Sequence, residues 1–102
     1  MDRGFSFTAS TSPDVVAYRV TLSKGGSVAG SKDYPDAEIV DPNDSSKRRI
    51  DLAGDSAFPN LDGVYDVEVL AVDDAGNTSS PLLGSLTLDF VAPDAPSGFE
   101  AF

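Results

Sequence analysis

Hydrophobic and polar residues alternate along most of this chain, in short blocks separated by turn formers. The first block sets Phe5, Phe7 and Ala9 on one face and Ser6 and Thr8 on the other, and runs into Ser10-Thr11-Ser12-Pro13-Asp14. Proline cannot donate to a ladder and aspartate favours a turn, so the strand ends there. The second block, Val16 to Leu22, sets Tyr18, Val20 and Leu22 against Arg19, Thr21 and Ser23, until Lys24-Gly25-Gly26-Ser27 breaks it. A period of two with one polar face predicts half-buried strands.

From Ser27 to Lys47 the alternation weakens. Ala37 to Val40 predicts a short edge strand, and Asp41-Pro42-Asn43-Asp44-Ser45-Ser46 a polar turn or loop. Ile50 and Leu52 alternate with Arg49 and Asp51 and predict another short strand. The most regular block turns Tyr65, Val67, Val69 and Ala71 one way and Asp66 and Glu68 the other. Burying those carboxylates unpaired carries a heavy desolvation cost, so the inward face of this strand is fixed. After Asp73-Asp74-Ala75-Gly76-Asn77, the last strand, Gly84 to Phe90, groups Leu86, Leu88 and Phe90. Helical periodicity is nearly absent, and about six strands in a chain of 102 residues predict an all-β antiparallel sandwich.

The run Leu61-Asp62-Gly63-Val64-Tyr65-Asp66-Val67-Glu68-Val69-Leu70-Ala71-Val72-Asp73-Asp74-Ala75-Gly76-Asn77-Thr78-Ser79 resembles the E-to-G portion of fibronectin type III and related bacterial Ig-like domains. That resemblance implies an Ig-like sandwich over residues 1–92, with Tyr65 opening strand F as a tyrosine corner and Leu61 packed beneath it. Phe5 to Val20 likewise resembles strands B and C with their loop, Phe7 standing where the family carries a core tryptophan. Such domains begin with a strand A, yet only four residues precede Phe5, so strand A is missing at the amino terminus.

At the other end, Ala92 to Phe102 resembles the linker and strand A that open the next repeat of a tandem array, and residues 93–102 read as linker plus strand-A-like segment. Folding back in cis would take this segment to the pole opposite the end of strand G. Val91 to Pro96 reaches at most roughly 20 Å, and its two prolines stiffen it. Donation to a neighbour is easier. Two readings of the segment stay open: Phe99 and Phe102 complete the sheet of another subunit by strand addition, or they begin a following repeat.

Charge narrows the choice of partner. Seven lysines and arginines against 17 aspartates and glutamates, with no histidine, leave a net charge of −10. Nucleic acid is bound by releasing counterions to clustered cations, and the chain clusters only Lys47, Arg48 and Arg49, which read as a solvated strand entrance. Nucleic acid and anionic membrane are therefore poor partners, with no nucleic-acid binding and no membrane insertion expected, and the acids serve solubility or a basic, cationic or neutral protein surface. There is no cysteine, so packing and the β-ladder carry stability without disulfides or thiolate metal sites. No apolar run approaches the ~20 residues of a membrane span, and Met1 leads straight into an alternating strand without a stretch of signal-peptide length. These features lean toward a chain made and assembled in the cytoplasm, as virion proteins are, and the expected setting is a virion or an extracellular or cell surface.

Without histidine or cysteine, Ser-His-Asp and Cys-His machinery is excluded. Gly25-Gly26 lacks the Lys-Ser/Thr and helix of a phosphate loop, and the carboxylate pairs Asp73/Asp74 and Asp62/Asp66 lie at turns or on an outward face. The expectation is no catalytic residue, no cofactor and no bound metal. Calcium is the one metal the ligands suit, at Asp41, Asn43, Asp44 and at Asp73, Asp74, Asn77, but neither group has EF-hand spacing and turn hydrogen bonding accounts for both. The sequence thus predicts a non-catalytic structural module that forms a homo-oligomer or meets a neighbouring repeat. The alternative is a recognition domain that binds a protein or glycan through Ser23 to Ser46 and the Asp73 to Asn77 turn.

Overall fold

Gly25 and Gly26 adopt φ of 59° and 82°, the left-handed pair that a two-residue hairpin of matching twist requires. They join β2 (Val15–Lys24) to β3 (Ser27–Pro35) in a computed structural model that describes residues 3–53, 55–58, 62–89 and 94–102. The remaining strands are β1 (Gly4–Thr8), β4 (Val40–Asp41), β5 (Asp44–Asp51), β6 (Gly63–Asp73) and β7 (Leu82–Leu88). They form two antiparallel sheets, ordered β1-β5-β4 and β3-β2-β6-β7, and the fold is an all-β sandwich.

Period-two patterning becomes register. On β2, Tyr18, Val20 and Leu22 stand opposite Ala71, Val69 and Val67 of β6, while Tyr65, Val67 and Val69 meet Leu86, Gly84 and Leu82 of β7. The opposite sheet supplies Phe7, Ile50 and Leu52, and together these apolar side chains form one buried cluster, with Val20 and Leu52 fully removed from solvent. Phe7 and Tyr18 meet edge to face across the sheets, their ring centroids 4.9 Å apart. Tyr18 is buried to its hydroxyl, which accepts the amide of Ser10 at 2.9 Å and so ties the loop leaving β1 to the core of β2.

Four sequence expectations change. Ser27–Pro35 is a full strand, although its alternation is weak, because β3 is an edge whose backbone pairs with β2 from Ala17 to Lys24. Only Tyr34 of β3 is buried, and its inner surface near Gly30 is covered by Ala57-Phe58, leaving Phe58 4% exposed. Ala37 lies in a 3-10 turn, Asp36–Glu38, and only Val40 and Asp41 pair as a strand. Pro42-Asn43 is a turn, but Asp44 to Ser46 already belongs to β5. The last strand begins two residues early, at Leu82, and ends at Leu88; Phe90 lies outside the described residues.

Candidate functional site

The β1 strand is the edge of its sheet, bonded to β5 on one side and to no strand on the other among the described residues. Strand β7 is likewise the edge of the facing sheet. Between these edges runs a groove of about 280 Å³, floored by Val67 and Val69 and walled by Phe5, Phe7, Leu82 and Leu86. Its lining is mostly carbon. An edge with unpaired backbone groups beside an apolar trough accepts an extended segment by β-augmentation, the ladder supplying affinity and the trough side-chain selection.

Strand directions follow from the pairings. β2 is antiparallel to β6 and β6 to β7, and the end of β1 shares its pole with the start of β2 and the end of β6, where Ser10, Val15 and Asp73 line one groove. Thr8, at the end of β1, and Leu82, at the start of β7, accordingly line one small cavity, and β7 runs out at the pole where Gly4 begins β1.

Phe99 and Phe102, the expected self-association residues, lie in a segment, Asp94 to Phe102, with no regular secondary structure. Both rings are open to solvent, Phe99 at 96% exposure. They do not fill the groove of their own chain. Tyr65 is 1% exposed on β6, and the ammonium of Lys24 stands 5.6 Å from its ring centroid. Leu61, its expected partner in the tyrosine corner, lies outside the described residues.

The groove walls on β1 and β7 were not singled out by the sequence. Leu82-Leu83, exposed at the start of β7 after Pro81, was the available signal, but the trough exists only where β1, β6 and β7 converge.

Among the described residues no buried side-chain nitrogen or oxygen lacks a hydrogen-bond partner. Asp73 accepts the amides of Ala75 and Asn77 and the side-chain amide of Asn77, so its carboxyl is held below the ordinary range by those donors, the Asn77 amide first. Asp44 accepts the hydroxyl and amide of Ser46 and is lowered likewise, and Asp41 accepts the amide of Asn43. Among the described residues no three acidic side chains are grouped to hold a metal ion.

Asp55 is the most enclosed of the ion-paired acids, its side chain 11% exposed. Burial pushes its carboxyl up, but the Ala57 amide, the Tyr34 hydroxyl at 2.7 Å and the Lys32 ammonium at 3.1 Å outweigh that and hold it low. The same pair raises the Tyr34 hydroxyl well above the usual tyrosine range, through burial first and the Asp55 charge after it. Arg48, within the expected basic run, pairs with Asp36 at 2.7 Å, whereas Lys47 and Arg49 stand exposed on β5.

A second groove of about 240 Å³ lies at the pole where β1 ends, lined by Ser10, Asp14, Asp73 and Asn77 together with Val15 and Ala71. No family model matches the chain, and no curated protein or solved structure matches it either.

Proposed function

We propose that this domain is a non-catalytic structural module of a virion or cell surface that assembles head to tail, one copy donating its carboxyl-terminal segment to the β1 edge of the next. The observation that carries the reading is complementarity within one chain: a strand edge with no partner among the described residues beside an apolar groove, and two exposed phenylalanines on a segment without regular secondary structure. The strand order supports an Ig-like or fibronectin type III-like assignment, with β1-β5-β4 as B-E-D and β3-β2-β6-β7 as C′-C-F-G. In that assignment strand A belongs at the open side of β1. Direction favours a donor from another copy, since the chain leaves β7 at the Gly4 pole and a strand antiparallel to β1 enters at the Thr8 pole.

The contact is heterologous, because donor and acceptor surfaces differ, so it closes a ring or extends a filament. Sedimentation velocity at micromolar concentration reads it out: the full chain forms a defined oligomer, and deletion of Ser97 to Phe102 leaves a folded monomer. An intact chain that stays monomeric, or a truncated one that assembles equally well, refutes the reading.

A second reading draws on the groove at the Thr8 pole, whose hydroxyls and carboxylates suit hydrogen bonding to a glycan or a polar peptide. Retention of a monomeric chain on a glycan or receptor array, lost on Asn77→Ala, is the result that favours it.

A further inference from the structure

Two backbone bonds fix how every polar group along β1 is directed. Leu52 donates its amide to the Arg3 carbonyl and Ala9 donates its amide to the Ser46 carbonyl, both at 2.9 Å. In an antiparallel ladder, residues that bond the partner strand alternate with residues whose amide and carbonyl point away. Gly4, Ser6 and Thr8 therefore direct N–H and C=O to the open edge. Their register partners are Asp51, Arg49 and Lys47, which share the outward face of this sheet, whereas Phe5 and Phe7 turn toward the groove.

That outward face is unusual for so acidic a chain. Arg19, Lys32 and Arg48 are committed to Asp33, Asp55 and Asp36. Lys47 and Arg49 are exposed and in no ion pair among the described residues, although Asp44 senses the charge of Lys47 and Asp51 lies on the same face.

The donor segment has only two frames. Side chains alternate along a strand, and Phe102 lies three positions after Phe99, so a regular strand cannot turn both into the groove. Turning Phe102 inward also turns Glu100 inward and places a carboxylate in an apolar trough without a partner, at a large desolvation cost. Turning Phe99 inward takes Ala101 with it and leaves Glu100 outside. A groove of about 280 Å³ has room for that ring and methyl, since an apolar cavity of about 150 Å³ already holds a benzene. Gly98, at φ 74°, turns the chain just before Phe99.

Resting on the strand-addition reading, we propose that residues 99–102 of a second copy of this chain lie along β1 with Phe99 and Ala101 in the groove and with Glu100 on the outward face, across β1 from the long side chains of Lys47 and Arg49. Phe99 is the anchor, Glu100 sets the frame, and Phe102 remains at the surface.

The test uses the full chain at low ionic strength, with self-association followed by sedimentation velocity and folding by thermal melting. Phe99→Ala weakens association by about tenfold or more, the loss of one buried aromatic, while Phe102→Ala changes it far less. Neither variant shifts the melt of the monomer, because both rings are exposed there. Glu100→Lys weakens association, the double variant Lys47→Glu/Arg49→Glu weakens it as well, and combining all three restores it, an effect that shrinks as salt is added. If the parent chain associates but Phe102→Ala is the more damaging change, or if the combined charge reversal fails to restore assembly, the frame proposed here is wrong while strand addition stands. A parent chain that does not associate removes both.

Discussion

Gly30 sits where a single methyl group has no room. It lies on β3 opposite Leu22, and a Cβ built there would come within 2.3 Å of the Ala57 carbonyl oxygen and 2.8 Å of the Phe58 ring. The first neighbour is backbone and cannot swing aside, so in Gly30→Ala either β3 shifts against β2 or the segment carrying Phe58 lifts. A strand shift belongs with overpacking, at about 1–3 kcal/mol. Lifting Phe58 off the core approaches the loss of a buried aromatic, at about 3–5 kcal/mol. For a domain of this size each kcal/mol lowers the melting temperature by roughly 4–8 °C, so the variant melts at least several degrees below the parent. Thermal melts and urea titration of Gly30→Ala, Phe58→Ala and the double variant separate the routes. Removing the ring relieves only part of the clash, and the two losses add to less than their sum. A Gly30→Ala protein melting with the parent would show that Ala57-Phe58 does not cover β3, and the account of the sandwich's closed side would fail.

Two further predictions rest on separate features. The left-handed φ of Gly26 meets no steric neighbour, so Gly26→Ala costs about 1 kcal/mol from backbone conformation alone and Gly26→Asn less; equal melts for Ala and Asn would contradict a turn-conformation origin. Because the Asp55 carboxyl is held below its unfolded value of about 4, its contribution is complete above that pH and fades as pH falls through the lower native value. Asp55→Asn therefore loses stability at neutral pH and flattens the acid limb of the melting-temperature profile; an unchanged limb would remove the assigned role of its three donors.

The strands that bury a full face were legible from sequence. β1, β2 and β6 each alternate cleanly because their inward side chains, such as Phe7, Val20 and Val67, meet another sheet while their outward ones meet water. β3 escaped because pairing with β2 defines it more than burial does: Val28 is 67% exposed, and the cover over Gly30 comes from a segment distant in sequence. The strand boundary at Leu82 escaped for a related reason, since two exposed leucines do not alternate, yet both pair with β6. Phe99 and Phe102 were legible as residues without an apolar environment of their own. The groove was not, because its walls come from three strands that only folding brings together.

The shared pole of Gly4 and Leu88 has a mechanical consequence. Tension applied through those two points is applied at one end of the sandwich, so β1 is peeled from β5 beginning at the Arg3–Leu52 bond and the pair Gly4↔Asp51, each pair yielding in turn. An isolated copy pulled this way unzips at low force. On the head-to-tail proposal, a donated strand along β1 would bring the pull in through a second ladder side by side with the first, where neighbouring bonds share the load, and linked copies would resist forces that open a single one.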